Sequence, residues 1–488
     1  MTMARITQLT GCLLILLSCA ASVPTGGTIA ATEVITAQIP RDSTPNVLLI
    51  MIDDMNDWVK AYGGNPQAIT PNIDRFAARA VRFDNAYCSA PLCNPSRTSL
   101  LTGYSPLKTG VYGNSTHFRD VAGLKDVVTL PQYFAANGYA TFAAGKIFHS
   151  PRGPSGKPRP GSDPGSFQEE WRGGLGVPFP AEEDRFRALG KGSVKTPKNL
   201  DWAPIAIADE NTNDWQIADY GAQVLAREHD KPFFLACGIF RPHLPWYAPE
   251  KYFNLYDADT LQLPEVIAND LADVPVLGQR MAKQEAHEMI IKQGKWKEAM
   301  RGYLASLSYA DACAGHLLDA LENSKYADNT IVVLMGDHGW NLGEKRHWSK
   351  NALWEESAKT PLIIFDPARP EPIVTDRVVS LLDLYPTLIG LSGLPPKEDL
   401  DGTDLSRFLL DPTADTPGFA LTTKDEGNHS LRTDRYRYTR YRDGGEELYD
   451  HQSDPMEWKN LADDPAAAEV LDRLRKQLDR YTATLTPN

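Results

Sequence analysis

The chain has 488 residues, of which 42% are hydrophobic and 23% charged, so it can bury a sizeable core and has an ordinary globular composition. Its formal net charge is −13, and its Lys and Arg residues form no continuous run. The sequence therefore lacks the basic surface typical of a nucleic-acid-binding protein. A polyanionic substrate would therefore need a locally basic pocket.

The N-terminus predicts export. Arg5 precedes the apolar stretch 12–17, which is too short to span a bilayer and is typical of a secretory signal. Residues 16–19 resemble a bacterial lipobox, which would leave Cys19 lipidated, whereas residues 20–22 suit an ordinary signal peptidase. The sequence leaves both cleavage sites open.

We expect a signal peptide over residues 1–22, followed over 23–44 by a linker rich in Thr, Ala, Gly and Pro. The exported protein would be periplasmic, anchored to the outer membrane or secreted, with no membrane span. Two of the six cysteines belong to the signal, and the other four are too sparse for a disulfide scaffold, so few or no disulfides are expected.

Short apolar runs alternate with helical patterns in the part of the chain that follows. The runs read as strands buried on both faces and cover 47–52, 232–237, 331–335 and 361–365. The spacing of Leu and Ala predicts a helix over about 301–322. This alternation predicts an α/β catalytic domain over residues 45–395, built on a large, mostly parallel sheet flanked by helices.

The character of the sequence changes twice along the chain. Residues 150–198 are dense in Gly, Pro and charge, which predicts a long surface insertion of the kind that shapes substrate pockets. After residue 395, short alternating segments at 420–423 and 436–439 precede a helical pattern at about 466–485. Residues 396–488 are therefore expected to form a smaller α+β domain with an antiparallel sheet.

Cys93 opens the run Cys-Asn-Pro-Ser-Arg over residues 93–97. Pro95 suits the first turn of a helix, and the free backbone N–H groups at a helix N-terminus stabilise an oxyanion. The residues alone therefore predict a nucleophile or anion site at a helix start. A buried structural cysteine is the alternative interpretation.

Two of the predicted strands end in polar pairs, Asp53-Asp54 and Asp337-His338. Carboxylates at the ends of strands suit a hard divalent cation, which polarises a bound oxyanion and lowers the pKa of a nucleophile. Taken singly, each Asp also fits a helix cap or a turn.

The spacing Cys-x-Pro-Ser-Arg at 93–97, followed by Thr102-Gly103, resembles the signature of the type I sulfatases. The resemblance covers residues 45–467 and implies an alkaline phosphatase-like fold. It implies that a formylglycine-generating maturation enzyme oxidises Cys93 to 3-oxoalanine (formylglycine), whose hydrated aldehyde attacks sulfur to give a covalent sulfate–enzyme intermediate. The second hydroxyl then expels sulfate and regenerates the aldehyde.

The same resemblance implies the remaining parts of the site. One Ca²⁺ ion would be held by the five residues Asp53, Asp54, Cys93, Asp337 and His338. Lys146 and His149 match the Gly-Lys-x-x-His element, and Lys350 corresponds to a second sulfate-binding lysine. His243 matches Pro-His-x-Pro as general acid, and Arg97 completes the catalytic set, whose cations would offset the charge of sulfate.

Asp-His-Gly-Trp at 337–340 resembles the iduronate-2-sulfatase branch, which implies an exo-acting enzyme on a sulfated carbohydrate, such as a 2-O-sulfated uronic acid of a glycosaminoglycan or an algal polysaccharide. Candidate substrate-binding residues are Arg241, Trp246, His347, His117 and Trp58. Three alternatives stay open: a phosphodiesterase or phosphonate hydrolase of the alkaline phosphatase superfamily, a small-molecule sulfatase of the choline-sulfatase type, and a non-catalytic glycan-binding protein.

Overall fold

The computed structural model describes residues 43–149, 163, 165–171, 173–178, 200–369 and 371–485. The predicted signal peptide, all but the end of the linker and most of the predicted insertion lie outside these residues. None of the described helices has both the length and the apolarity needed to cross a bilayer. The four cysteines of the described part, Cys88, Cys93, Cys237 and Cys313, are buried free thiols.

Eight strands form the central sheet. In chain order they are β1 (Asn46–Ile52), β2 (Val81–Tyr87), β3 (Ala140–Gly145), β4 (Glu169–Trp171), β6 (Phe233–Ile239), β8 (Thr330–Gly336), β9 (Leu362–Phe365) and β10 (Ile373–Ser380). Their spatial order is β10-β2-β9-β8-β1-β6-β3-β4, and only β9 runs antiparallel to its neighbours. The expected mostly parallel sheet is confirmed, with one reversed strand.

Helices cover both faces of this sheet. The described α-helices before residue 395 are α1 (Pro71–Ala77), α2 (Cys93–Thr102), α3 (Pro106–Thr109), α4 (Leu130–Ala136), α5 (Asn213–Ala226), α6 (Glu250–Phe253), α7 (Val276–Met281), α8 (Gln284–Lys292), α9 (Trp296–Glu322), α10 (Glu355–Ala358) and α11 (Leu384–Leu391). A small parallel pair, β5 (Trp202–Ile205) and β7 (Trp246–Pro249), packs against α9.

The period-two geometry of β1 explains the two cores. Leu48, Ile50 and Ile52 pack into one cluster with α9 and α5, whereas Val47 and Met51 pack into a second cluster with α2 and α11. Every residue of β1 is buried, which is why its sequence is continuously apolar instead of alternating. Each such side chain contributes about 1.5–3 kcal/mol of burial free energy.

The C-terminal part contains a four-stranded antiparallel sheet, β11 (Phe419–Thr423), β12 (His429–Thr433), β13 (Tyr436–Arg440) and β14 (Glu446–Asp450), in that order. Helix α13 (Ala468–Leu485) packs Leu471, Leu474 and Leu478 against it, and α12 (Ser406–Leu410) precedes it. The smaller antiparallel unit with a closing helix is confirmed, while the boundary at residue 395 stays a prediction.

The predicted surface insertion partly enters the fold. Residues 169–171 form the edge strand β4, which pairs in parallel with β3, and Val177 is buried. The backbone N–H of Gly176 donates a hydrogen bond of 2.9 Å to Asp214 at the start of α5. A Gly-rich and Pro-rich composition does not reveal such long-range pairing, so this stretch was expected to lie entirely on the surface.

Candidate active site

Parallel pairing gathers the candidate residues at one edge of the sheet. Ile52 at the end of β1 lies opposite Gly336 of β8 on one side and Ile239 of β6 on the other. Asp53-Asp54 follow β1 and Asp337-His338 follow β8, so the two pairs lie side by side at this edge. All four are buried.

Asp54 adopts a left-handed backbone conformation, with φ of 61°. This conformation is uncommon outside glycine, although Asp tolerates it better than most residues. Two hydrogen bonds hold it: its N–H donates to Asp337 Oδ1 over 3.1 Å, and its carbonyl accepts from the Tyr303 hydroxyl over 3.0 Å. One carboxylate oxygen, Asp54 Oδ2, is buried without a hydrogen-bond partner among the described residues.

Cys93 is the first residue of α2, and its side chain is fully buried. Its Sγ lies 3.3 Å from Nε2 of His338 and 3.9 Å from Oδ1 of Asp54, and it accepts a hydrogen bond of 3.0 Å from Nζ of Lys350. The predicted helix start at the Cys-x-Pro-Ser-Arg run is confirmed, with Pro95 in the first turn. The sulfur occupies the point where the helix and the two acidic strand ends meet.

Lys146 and Lys350 bring positive charge to this point from opposite sides. Lys146 follows β3, and its ammonium group pairs with Asp53, while that of Lys350 pairs with Asp54. Close backbone contact positions Lys146: its N–H donates to Gly238 O over 2.9 Å, and a Cβ on Gly238 would clash with the Lys146 carbonyl at 2.1 Å. Both lysines are largely buried, 7% and 8% exposed.

Arg97 lies one turn into α2 and is fully buried. Its Nε donates to Asp337 Oδ2 over 2.7 Å, and Nη2 donates to Asp53 Oδ1 over 3.2 Å. Nη1 is engaged by backbone carbonyls at 146 and 147. The guanidinium thus orients the two carboxylates and is surrounded by protein.

Besides His338, two further histidines, His149 and His243, lie next to Cys93. The His243 Nδ1–H donates to Leu244 O over 2.7 Å, so the other ring nitrogen, Nε2, faces Asp54 Oδ2 at 3.9 Å. His149 hydrogen-bonds Cys93, and its burial lowers its pKa, which favours the neutral ring at neutral pH. His243 keeps 22% of its side chain exposed and can meet a molecule that enters from solvent.

The charges around Cys93 shift its acidity. Burial raises the pKa of the thiol, but Lys146, Lys350 and His338 together hold it well below its usual range. Burial by itself would lower the pKa of His338. The negative charges of Asp337 and Cys93 have the larger effect and raise this pKa to about 9. The site therefore favours a negatively charged group at position 93.

The donor set fits a divalent cation. The two groups of four residues Asp53, Asp54, Cys93, His243 and Asp53, Cys93, Asp337, His338 each bring one ligand atom within 4.8 Å of the others. Three carboxylates are balanced by Arg97 and two lysines, so a cation held there restores the net positive charge that an anionic substrate requires. The unpaired oxygen of Asp54 gives that cation an additional donor.

Two of the candidate substrate-binding residues, His347 and Arg241, are buried next to the site. His347 is fully buried, accepts from the Lys283 N–H and donates to the Lys350 carbonyl. Arg241 is 1% exposed and donates to the carbonyl of His243 over 2.9 Å. These contacts place both residues beside His243 and Lys350, and their contact with a substrate stays a prediction.

The other three candidate substrate-binding residues, Trp246, Trp58 and His117, are also largely buried. Trp246 is fully buried among aromatic rings, with ring-centre distances of 5.7 Å to Tyr303 and 6.1 Å to Trp340. Trp58 is 4% exposed and packs edge-on against Tyr303 at 5.9 Å. His117 is 6% exposed and stacks on Phe118 at 5.1 Å. These three side chains therefore expose little surface to solvent, and their contact with a substrate stays a prediction.

Two supporting residues carry no signal in the sequence. The buried carboxylate of Asp214 accepts hydrogen bonds from the N–H groups of Phe240 and Arg241, which precede His243. Asn94, next to Cys93, donates to the carbonyls of Gly113 and Thr116 over 2.7 Å each. Asp214 reads as an ordinary acidic residue in the first turn of a helix, so its role appears only in the fold.

The sulfatase family profile matches residues 45–394, and the C-terminal profile of N-sulphoglucosamine sulphohydrolase matches residues 343–484. A sulfatase of Formosa agariphila is 38% identical over 453 residues, covering 90% of this chain and 87% of its own. The iduronate 2-sulfatase of Mus musculus is 30% identical over 401 residues, covering 72% of this chain and 69% of its own.

A solved phosphonate monoester hydrolase of Agrobacterium radiobacter superposes with a TM-score of 0.74 at 22% identity, covering 90% of this chain and 96% of its own. At that identity the likeness shows the shared alkaline phosphatase-like fold alone. The match over 45–394 and the 38% identical relative decide the family. The chain therefore belongs to the sulfatase family and is a sulfuric ester hydrolase.

Proposed function

We propose that this sulfatase removes the 2-O-sulfate from a uronic acid at the end of a glycosaminoglycan or algal polysaccharide chain. Its similarity to an iduronate 2-sulfatase, together with Asp-His-Gly-Trp at 337–340, supports this substrate class. One observation carries the chemistry: the Cys93 side chain lies at the N-terminus of α2, in contact with Lys350 and His338. An anion there meets helix N–H groups and fixed positive charges.

Position 93 acts after conversion to formylglycine, which supplies a hydroxyl nucleophile as a hydrated aldehyde and a second hydroxyl for release of sulfate. The side chains around it orient the sulfate group. Lys146 and Lys350 bind its oxygens, and Arg97 keeps Asp53 and Asp337 in place beneath it. His243 donates a proton to the leaving alcohol, and neutral His149 holds the hydroxyl of residue 93 by a hydrogen bond.

A single Ca²⁺ ion is the proposed cofactor. Asp53, Asp54, Asp337 and His338 would hold it, together with the side chain of residue 93, because carboxylate oxygens dominate this donor set. The ion would polarise a sulfate oxygen and lower the pKa of the attacking hydroxyl. Because Ca²⁺ would neutralise these carboxylates, the ammonium groups of Lys146 and Lys350 would be available to bind sulfate.

Maturation and location complete the proposal. Conversion requires a formylglycine-generating enzyme in the producing cell, and the N-terminal sequence supports an exported enzyme, with a lipid anchor at Cys19 if the lipobox is used. An exported sulfatase would meet polysaccharide fragments outside the cytoplasm.

The test is turnover of a panel of defined sulfated mono- and disaccharides by the converted enzyme, with sulfate release as the readout. We expect the highest kcat/KM on a terminal 2-O-sulfated uronic acid. Equal or higher turnover of 6-O-sulfated hexosamines would contradict the sugar assignment. Turnover of choline sulfate alone would contradict the carbohydrate class.

A phosphonate or phosphate diester hydrolase is the second candidate, because a phosphonate monoester hydrolase has the same fold. The pair Lys146 and Lys350 favours sulfate. Comparison of kcat/KM for an aryl sulfate and an aryl phosphonate monoester distinguishes the two. A preference for the phosphonate would overturn the proposed substrate class.

A further inference from the structure

The cluster around Cys93 contains ligands that differ in chemical softness. Carboxylate oxygens of Asp53 and Asp337 are hard donors, whereas the Cys93 sulfur is soft and the His338 imidazole is borderline. Ca²⁺ takes oxygen ligands, and a thiolate beside an imidazole is a donor pair that Zn²⁺ prefers. The chemical state of residue 93 therefore bears on which metal the site binds.

We propose that chains in which Cys93 keeps its thiol bind a thiophilic divalent cation, of the Zn²⁺ class, through Cys93, His338, Asp53 and Asp337. Conversion of Cys93 removes the sulfur and so changes the site from a thiophilic to a hard-cation site. The inference concerns the unconverted chain and holds whatever the substrate of the converted enzyme is.

The distances between donor atoms support this site. With bond lengths of about 2.3 Å to sulfur and about 2.0 Å to nitrogen and oxygen, a tetrahedral Zn²⁺ sets neighbouring donors about 3.3–3.6 Å apart. Cys93 Sγ lies 3.3 Å from His338 Nε2, and His338 Nε2 lies 3.6 Å from Asp337 Oδ1. The four ligand atoms, including that of Asp53, lie within 4.8 Å of one another.

The imidazole is already oriented for ligation. His338 Nδ1–H donates to the carbonyl of Gly339 over 2.9 Å, which leaves Nε2 as the metal-binding nitrogen. Such a second hydrogen bond fixes the tautomer and the ring plane of a ligating histidine. The ring is fully buried, so it has little freedom to turn away from the sulfur.

A second observation points to a cation at this place. Asp54 Oδ2 is buried, lies 3.9 Å from Nε2 of His243 and has no hydrogen-bond partner among the described residues. Lys350 pairs with the other oxygen, Oδ1, so Oδ2 stays unsatisfied, and a metal ion bound to it would offset the cost of its burial. This oxygen can join the four ligands or orient a water molecule on the metal.

Two ammonium groups compete with the metal. Lys350 Nζ donates to Cys93 Sγ, and Lys146 pairs with Asp53, so an entering cation has to displace both. Each is the end of a flexible four-carbon side chain and can turn toward solvent or a bound anion.

The test uses full-length chain produced in cells without a maturation enzyme, with the thiol at position 93 verified by peptide mass spectrometry. After removal of metal, Cd²⁺ is titrated while thiolate-to-cadmium absorption and the heat of binding are recorded. We expect one Cd²⁺ per chain with a thiolate band, and binding at least about 100-fold tighter than to the converted chain. An equal affinity in both forms would overturn the proposal.

Three variants of the unconverted chain sharpen the result. Cys93→Ser should abolish the band, whereas Cys88→Ala, which removes a buried thiol five positions away, should leave it intact. His338→Asn keeps the thiol and should weaken Cd²⁺ binding at least about tenfold while the band remains. A band that survives Cys93→Ser, or an affinity unchanged by His338→Asn, would place the metal elsewhere. Sulfatase activity is measured on converted chains, so these outcomes are distinct from a failure of the proposed function.

Discussion

The backbone N–H of Asp54 donates a hydrogen bond of 3.1 Å to the carboxylate of Asp337, although 283 positions separate the two residues in the chain. The bond joins the ends of two neighbouring parallel strands and holds Asp54 in its left-handed conformation. It therefore preorganises the carboxylates before a metal binds. The other oxygen of Asp337 accepts a hydrogen bond from Arg97, so both oxygens of this carboxylate are held.

Loss of charge at Asp337 should weaken metal binding. Removal of Ca²⁺ by a chelator should abolish sulfate release, and added Ca²⁺ should restore it. The Asp337→Asn variant should need at least about tenfold more Ca²⁺ for half-maximal activity, because it loses one anionic ligand and the charge partner of Arg97. Calcium titrations of activity and of melting temperature measure both effects.

The exposed Asp126→Asn variant is the matched control and should keep the wild-type calcium dependence. Full activity of the chelated enzyme would contradict a metal-dependent mechanism.

Replacement of Cys93 by Ala should lower kcat by at least about 10³-fold, because the nucleophile and its leaving hydroxyl are lost together. The free energy of unfolding should change far less than the activation free energy, since the truncation removes only a small side-chain group. Sulfate release and the urea unfolding midpoint are the two measurements. Turnover that survives the change would refute residue 93 as nucleophile.

Asp214 should act on catalysis through the position of His243. Its carboxylate accepts from the N–H groups of Phe240 and Arg241, and an Asn side chain has only one oxygen for these donors. Asp214→Asn should therefore lower kcat/KM for a sugar sulfate about 10–100-fold, since the poor leaving alcohol needs protonation. For 4-nitrophenyl sulfate, whose leaving group needs none, the loss should be less than about threefold.

The control for this prediction is Asp219→Asn, a half-exposed residue on the same helix. An equal loss on both substrates would indicate a general structural defect and not a displaced general acid.

A buried ion-pair network joins the C-terminal sheet to α10. Arg437 is fully buried, its Nε donates to Glu457 over 2.5 Å and its Nη2 pairs with Glu355. Burial raises the pKa of both carboxyls, but the neighbouring Arg and His charges hold each pKa below the usual 4.5. The network therefore contributes its full stability above about pH 4.5 and loses it as the pH falls through the lowered pKa values.

Arg437→Met should lower the free energy of unfolding by about 3–5 kcal/mol at pH 7, because it leaves two buried carboxylates without their main counter-ion. The deficit should shrink toward pH 4, where the unpaired carboxyls of the variant are already protonated. Arg435→Met, which removes a half-exposed pair with Asp450, should lower the free energy of unfolding far less than Arg437→Met does. Urea unfolding at both pH values measures this, and a pH-independent deficit would contradict the electrostatic explanation.

The strands and the acidic edge could be predicted from sequence because both depend on local information. A strand buried on both faces must be continuously apolar, as 47–52 and 331–335 are, and neighbouring parallel strands end at the same edge of a sheet. The position of Cys93 at a helix start also follows from the residues after it, especially Pro95. The edge strand at 169–171 was not predicted, because its partner, β3, lies 27 residues earlier in the chain.

The sequence by itself determined the family motif, the acidic strand ends and the lysines and histidines that lie near Cys93. The tertiary structure alone decided which polar side chains face the site and which support it. Arg241 and His347 are buried and donate to backbone carbonyl groups, and Asp214 accepts from backbone N–H groups, because packing brings these groups to them. Burial and hydrogen-bond partners are set by residues far along the chain, and no local pattern encodes them.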